Sequence, residues 1–140
     1  MPHEVGGHCV RDANGDACVI FVHGILSNGE SAWTNSEGVS WPQLLATESS
    51  FSELSIYAFS YRSDLFSRTY SLKDVVDSIR EFFNLDHLWD KRCIIFVCHS
   101  MGGIAVRRFV VVNQVRLIQK GSQIGLFMLA SPSLVQKMQP

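Results

Sequence analysis

Residues 93–103 read CIIFVCHSMGG, and the fold turns on this stretch. Cys93 to Cys98 is apolar throughout, the mark of a central strand covered on both faces, which requires helices above and below it. A helix is expected from about Met101 to Gln119, ending at Gly121. Ser100 therefore falls on a tight strand-to-helix turn, where small neighbours let the backbone fold back and the hydroxyl project at the carboxyl end of the sheet. Gly102 is the small residue two positions on, and Gly103 lets the helix approach closely. The helix begins at Ser100, so its free amide hydrogens point at any oxyanion formed on a carbonyl attacked by that serine, with the Met101 amide as the specific donor. A serine before a helix is by itself as readily a cap as a nucleophile. Strand, turn, helix and two glycines together favour the nucleophile.

Outward from this point the chain alternates strand-like and helix-like segments. Ala17 to Val22 (ACVIFV) is a second continuous apolar run, preceded by a short strand at 8–11 and by Asn14-Gly15, a pair suited to a tight hairpin. A loop rich in Gly, Ser and Asn covers 23–39, and Ser40 is placed to cap a short helix through Trp41, Pro42, Leu44 and Leu45. Leu54 to Phe59 is the next strand. Ser71 and Asp74 form a capping box for a helix whose stripe is Leu72, Val75, Val76, Ile79, Phe82 and Phe83. Ile124 to Ala130 is the last strand. The rhythm predicts one α/β domain over residues 1–140, with a mostly parallel sheet and helices on both faces.

Composition narrows the functions. Hydrophobic residues make up 46% of the chain and charged residues 18%, with a formal net charge of -1, so no basic field is present to hold nucleic acid. Arg107 and Arg108 read as a solvated helix face. Cysteines 9, 18, 93 and 98 have no CxxC spacing and read as buried free thiols; no metal or organic cofactor is implied. The amino terminus lacks a signal-peptide pattern and no apolar run reaches bilayer length, which makes a cytoplasmic location the default expectation. The first central strand leads into HGILSNG rather than a GxGxxG helix opening, which sets a dinucleotide site aside.

His23-Gly24-Ile25-Leu26 ends that strand. Gly24 allows a sharp turn beside the serine, offering an amide from Ile25 or Leu26 as a second oxyanion donor, while His23 is better read as a packing residue bonded to loop backbone than as a base. FVHGI, then Trp33 and Trp41-Pro42, then a strand ending FSY, then HSMGG resemble the serine esterase and lipase-like branch of the α/β-hydrolases, which includes inositol-deacylase relatives and serine active-site containing esterases. The resemblance implies a partial three-layer sandwich. Residues 17–132 would cover its strands three to six and residues 5–16 a remnant of its first hairpin. It places the nucleophile on Ser100 and the oxyanion amides on Ile25 and Met101, with His23, Gly24, Leu26, His99, Gly102 and Gly103 in support.

Two departures stand out. Cys98 occupies a position where the family usually has glycine, which predicts crowding without loss of the turn. After Ser131-Pro132 the family continues into strands that carry the acid and histidine of its triad, and these are expected to be missing here. Independently of any family, no His, Asp or Glu follows Ser100. The remaining bases are His3, His8, His23, His87 and His99, with Asp64 near the correct end of the sheet. The expected function is hydrolysis of a small-molecule or lipid acyl ester, by this chain or by a protein of which it is the nucleophile-bearing part. The alternative is a catalytically inactive interaction or assembly module, whose exposed last strand pairs with another copy or with the rest of a parent protein.

Overall fold

The structure is a computed structural model that describes residues 6–24, 31–61 and 71–131. Strands β1 (Gly6–Arg11), β2 (Ala17–Val22), β3 (Ser55–Ser60), β4 (Cys93–His99) and β5 (Gln123–Leu129) form one sheet in the order β1-β3-β2-β4-β5. All neighbouring pairs are parallel except β1 with β3. Among the described residues, four α-helices accompany the sheet: α1 (Trp41–Thr47), α2 (Leu72–Leu85), α3 (Met101–Val112) and α4 (Gln114–Lys120).

Alternation along the strands explains why they are apolar without a break. Ile20, Val22, Phe59, Ile94 and Phe96 face α2 and α3, where they meet Val75, Ile79, Phe83 and Phe109. Their neighbours Val19, Phe21, Ile56 and Val97 face the other way, against Trp33 and the α1 residues Leu45 and Ala46. The central strands β2, β3 and β4 thus each serve two cores, as expected for a parallel sheet between helical layers. The α2 stripe is fully used, and its capping box is present: the Asp74 amide donates to Ser71 Oγ and the Ser71 amide to the Asp74 carboxylate at 2.7 Å. The hydrogen bonds from Ser71, backbone first, hold the Asp74 carboxyl below its ordinary value.

Three expectations need correcting. Asn14 does adopt a left-handed backbone (φ 54°), yet β1 and β2 form no hairpin. The connection passes over the start of β3, close enough that a side chain on Gly15 would strike the Glu53 carbonyl. Arg11 then fastens β1 on the far side of β3, donating to the carbonyls of Leu54, Ala46 (2.5 Å) and Phe51. The long helix expected over 101–119 is broken at Asn113, whose buried amide donates to the Phe109 carbonyl at 2.8 Å and competes with the helical ladder. It ends as expected at Gly121 (φ 69°), with the Ser122 amide returning to the Leu117 carbonyl. Ser40 precedes α1 but makes no side-chain capping bond.

All four cysteines are free, but only Cys18 and Cys98 are buried; Cys9, on the edge strand β1, is exposed. Burial pushes both buried thiols from 9.0 up to about 12. The folded chain therefore holds these protons more tightly than the unfolded chain. Their contribution to stability is complete below pH 9 and is lost as pH rises from 9 towards 12. Urea titrations at pH 9 and pH 10 are expected to differ by about 2 kcal/mol from these two groups together, and a Cys18→Ala/Cys98→Ala protein should lack that slope.

Candidate functional site

The carboxyl ends of β2 and β4 lie side by side, with Val22 opposite Cys98. Ser100 follows β4 with φ 54° and ψ -125°, a backbone that an L-residue holds only under strain. The turn is pinned from behind, since the Ser100 amide donates to the Leu129 carbonyl of β5 at 2.9 Å. Its side chain makes no capping bond to α3. Cys98 is fully buried in the core on the α3 side, so the crowding expected from its thiol is absorbed there.

Three glycines allow the chain segments to converge on this serine. A β-carbon on Gly24 would lie 2.8 Å from Ser100 Cβ and 3.1 Å from the His99 carbonyl oxygen. One on Gly102 would lie 2.6 Å from the Val22 carbonyl oxygen and would also strike that of His23, so only glycine lets the first turn of α3 cross the end of β2. Gly103 faces the side chain of Ser131, whose Cβ would be 2.7 Å away. In the first turn of α3 the Gly103 amide donates to the Ser100 carbonyl at 3.1 Å, while the amides of Met101 and Gly102 precede the helical ladder and have no acceptor within the helix.

His23 is fully buried. Its Nε2 accepts from the Tyr61 amide at 3.2 Å, so the proton lies on Nδ1, which donates to the Gly24 carbonyl at 2.8 Å. Tyr61 stacks on the ring at 4.1 Å and its hydroxyl donates to the His23 carbonyl. With both nitrogens engaged, His23 joins the ends of β2 and β3 and shapes the turn at Gly24. His99 is exposed on the opposite face of β4 from Cys98, with its ring 6.4 Å from that of Trp33.

The structure thus brings together Ser100, Met101, His23, Gly24, His99, Gly102 and Gly103. Ile25, Leu26, Asp64 and His3 lie outside the described residues. His8 is exposed on the edge strand, and His87 precedes the turn at Leu88–Asp90, at the opposite end of β4 from Ser100. Tyr61 and Trp33 were not legible as site residues. Tyr61 reads as part of a polar connection, and nothing in the sequence pairs it with a residue 38 positions earlier. The Trp33 indole nitrogen and the Ser131 hydroxyl are buried without a hydrogen-bond partner among the described residues.

The site is thus a strained serine between strand and helix at the carboxyl end of a mostly parallel sheet flanked by helices on both faces. The sequence profile of the alpha/beta hydrolase family matches residues 19–137, and the chain belongs to that family. Among solved structures it is similar to a hormone-sensitive lipase from a metagenome library, with 16% identity and a TM-score of 0.46. The match covers 94% of this chain and 46% of that one, so the chain spans less than half of that lipase's length. No curated protein matches the sequence.

Proposed function

We propose that this chain is a serine hydrolase of carboxylic or lipid acyl esters, or the nucleophile-bearing part of one, with Ser100 as the nucleophile. The observation that carries this reading is the Ser100 backbone at φ 54° and ψ -125°, held at the carboxyl end of the sheet without a capping bond. A serine serving only as a cap would accept from the helix amides, and its φ would be negative. In the proposed reaction Ser100 Oγ attacks the ester carbonyl and its proton passes to a base. The amides of Met101 and Ile25 hold the resulting oxyanion, the alcohol leaves, and water releases the acyl group.

None of the described histidines is assigned as that base. His23 has both nitrogens committed, His87 is at the wrong end of the sheet, and His8 is on the outer edge. His99 packs its ring towards Trp33. The test is hydrolysis of p-nitrophenyl butyrate by the purified chain and by Ser100→Ala. A rate above buffer that vanishes in Ser100→Ala supports hydrolysis by this chain itself, and equal rates from the two proteins contradict that and leave only the nucleophile-bearing part.

A second reading, an assembly module, is favoured by one feature. Among the described residues β5 is one of the two sheet edges, its seven residues (QIGLFML) carry no charge, and Phe127 is 61% exposed. Natural sheet edges are usually blunted by charge or proline. This reading commits to a second copy of the chain on β5, and sedimentation velocity should then show a dimer that Phe127→Lys dissociates. A monomer at all concentrations rules it out.

A further inference from the structure

We propose that the outer face of α3 and α4 docks the protein peripherally on an anionic lipid bilayer. A helix on the surface of a soluble domain normally turns polar residues outward. Here the outward ridge is aliphatic. Val111, Val115 and Ile118 follow one another at four- and three-residue spacing, with Val112 alongside, and they range from 52% exposed at Val112 to 76% at Ile118. The opposite face of the same helices is spent on the core through Val106, Phe109, Asn113 and Leu117. An apolar ridge of this kind on an exposed surface marks a contact site.

The charge around the ridge selects the partner. Arg108 is exposed one turn before Val111, and Arg116 and Lys120 flank Val115 and Ile118. Arg80 of α2 lines a surface depression together with Val112, Val115, Arg116 and Lys120. No acidic residue lies anywhere beyond Ser100. All thirteen acids and seven of the twelve lysines and arginines fall in the first hundred residues, a balance of -6, while the last forty carry five cations and no acid. Along the sequence the acid-free part begins after Ser100 and includes both helices of the ridge. Asp90 is bridged to Lys120 at 3.0 Å and offsets that cation, while Asp77 is bridged to Lys73, so the net positive charge beside the ridge rests on Arg80, Arg108 and Arg116. The Arg116 guanidinium lies over the Trp89 ring at 4.0 Å, a cation–π contact that restrains it. Aliphatic side chains between cations match the acyl boundary and anionic headgroups of a membrane surface.

Arg107 and Arg108 alone read as a solvated helix face; the aliphatic ridge between the cations changes that reading. No helix among the described residues is long and apolar enough to cross a membrane, so the attachment is peripheral. α4 leads through Gly121 to the amino end of β5, whereas Ser100 stands at the carboxyl end of β4. Docking through α4 thus leaves the serine uncovered.

The test is flotation of the full chain with vesicles of one-third phosphatidylglycerol in phosphatidylcholine, beside vesicles of phosphatidylcholine alone. Binding is expected on the first and at least about tenfold weaker on the second, and it should fall in about 0.5 M salt. Arg80→Gln/Arg108→Gln should weaken it by roughly fivefold per cation removed. Val115→Ser/Ile118→Ser should weaken it comparably, with an unchanged circular dichroism spectrum, since these side chains are exposed. No binding by the folded chain, equal binding to both vesicles, or unaltered binding by both double variants overturns the proposal. So does a dimer that Val115→Ser/Ile118→Ser dissociates, which would make the face a protein interface. Ser100→Ala should bind like the parent, so failure of the hydrolase reading leaves this result standing.

Discussion

Gly102→Ala is expected to destabilise the protein by about 3 kcal/mol, lowering its melting temperature on the order of 10 °C. The sign is informative. Within a helix, alanine normally stabilises by about 1 kcal/mol over glycine. At Gly102 the new carbon would sit 2.6 Å from the Val22 carbonyl oxygen and would also strike the His23 carbonyl. Both are backbone atoms at the end of a central strand and cannot rotate away. α3 must lift from β2, taking the Met101 amide with it, so Ser100-dependent acyl transfer should fall as well. Gly125→Ala is the control, because its nearest neighbour would be an Ile95 side-chain carbon at 3.5 Å, an ordinary contact. Thermal melts of both proteins separate a requirement for close approach from a general sensitivity of glycine positions.

Ser100→Ala and Ser100→Gly are both expected to lose all Ser100-dependent ester hydrolysis, yet they should diverge in stability. A side chain at φ 54° and ψ -125° costs roughly 1–3 kcal/mol, and alanine keeps that cost. Glycine relieves it and gives part back through the greater freedom of the unfolded chain, for a net gain of about 1 kcal/mol. A more stable but inactive Ser100→Gly protein is the pattern of a residue whose strained geometry serves chemistry. Were Ser100 a helix cap, glycine would leave stability almost unchanged and alanine would lower it by about 1 kcal/mol. Urea denaturation of the three proteins distinguishes the two cases.

The sheet was largely legible because its information is local. CIIFVC and ACVIFV are unbroken apolar runs, and their continuity reflects two cores, seen in the split of Val19 and Phe21 from Ile20 and Val22. The capping box at Ser71 and the stop at Gly121 likewise rest on residues a few positions apart. What escaped depends on distant partners. Asn14-Gly15 suggested a hairpin, but β1 is claimed by β3 through Arg11 and carbonyls 35 to 43 residues away. Asn113 looked like another helical residue until its burial turned its amide back on Phe109. In the site, the turn around Ser100 follows from HSMGG and its flanks, whereas the lock of Tyr61 on His23 needs β2 and β3 already side by side. The aliphatic ridge of α3 and α4 could not be told from core by spacing alone. Val111 and Val115 repeat as helical core residues do, and only the packed fold turns them outward.

The most direct test of Ser100 as the nucleophile is time-resolved labelling of the folded chain with a fluorophosphonate, the modified residue being located by peptide mass spectrometry. Labelling is expected to be confined to Ser100, absent in Ser100→Ala, and slow, because none of the described histidines hydrogen-bonds its hydroxyl and only the proposed oxyanion amides favour the reaction. Labelling spread over several serines, unchanged in Ser100→Ala, or no faster than in urea-unfolded chain would contradict that role.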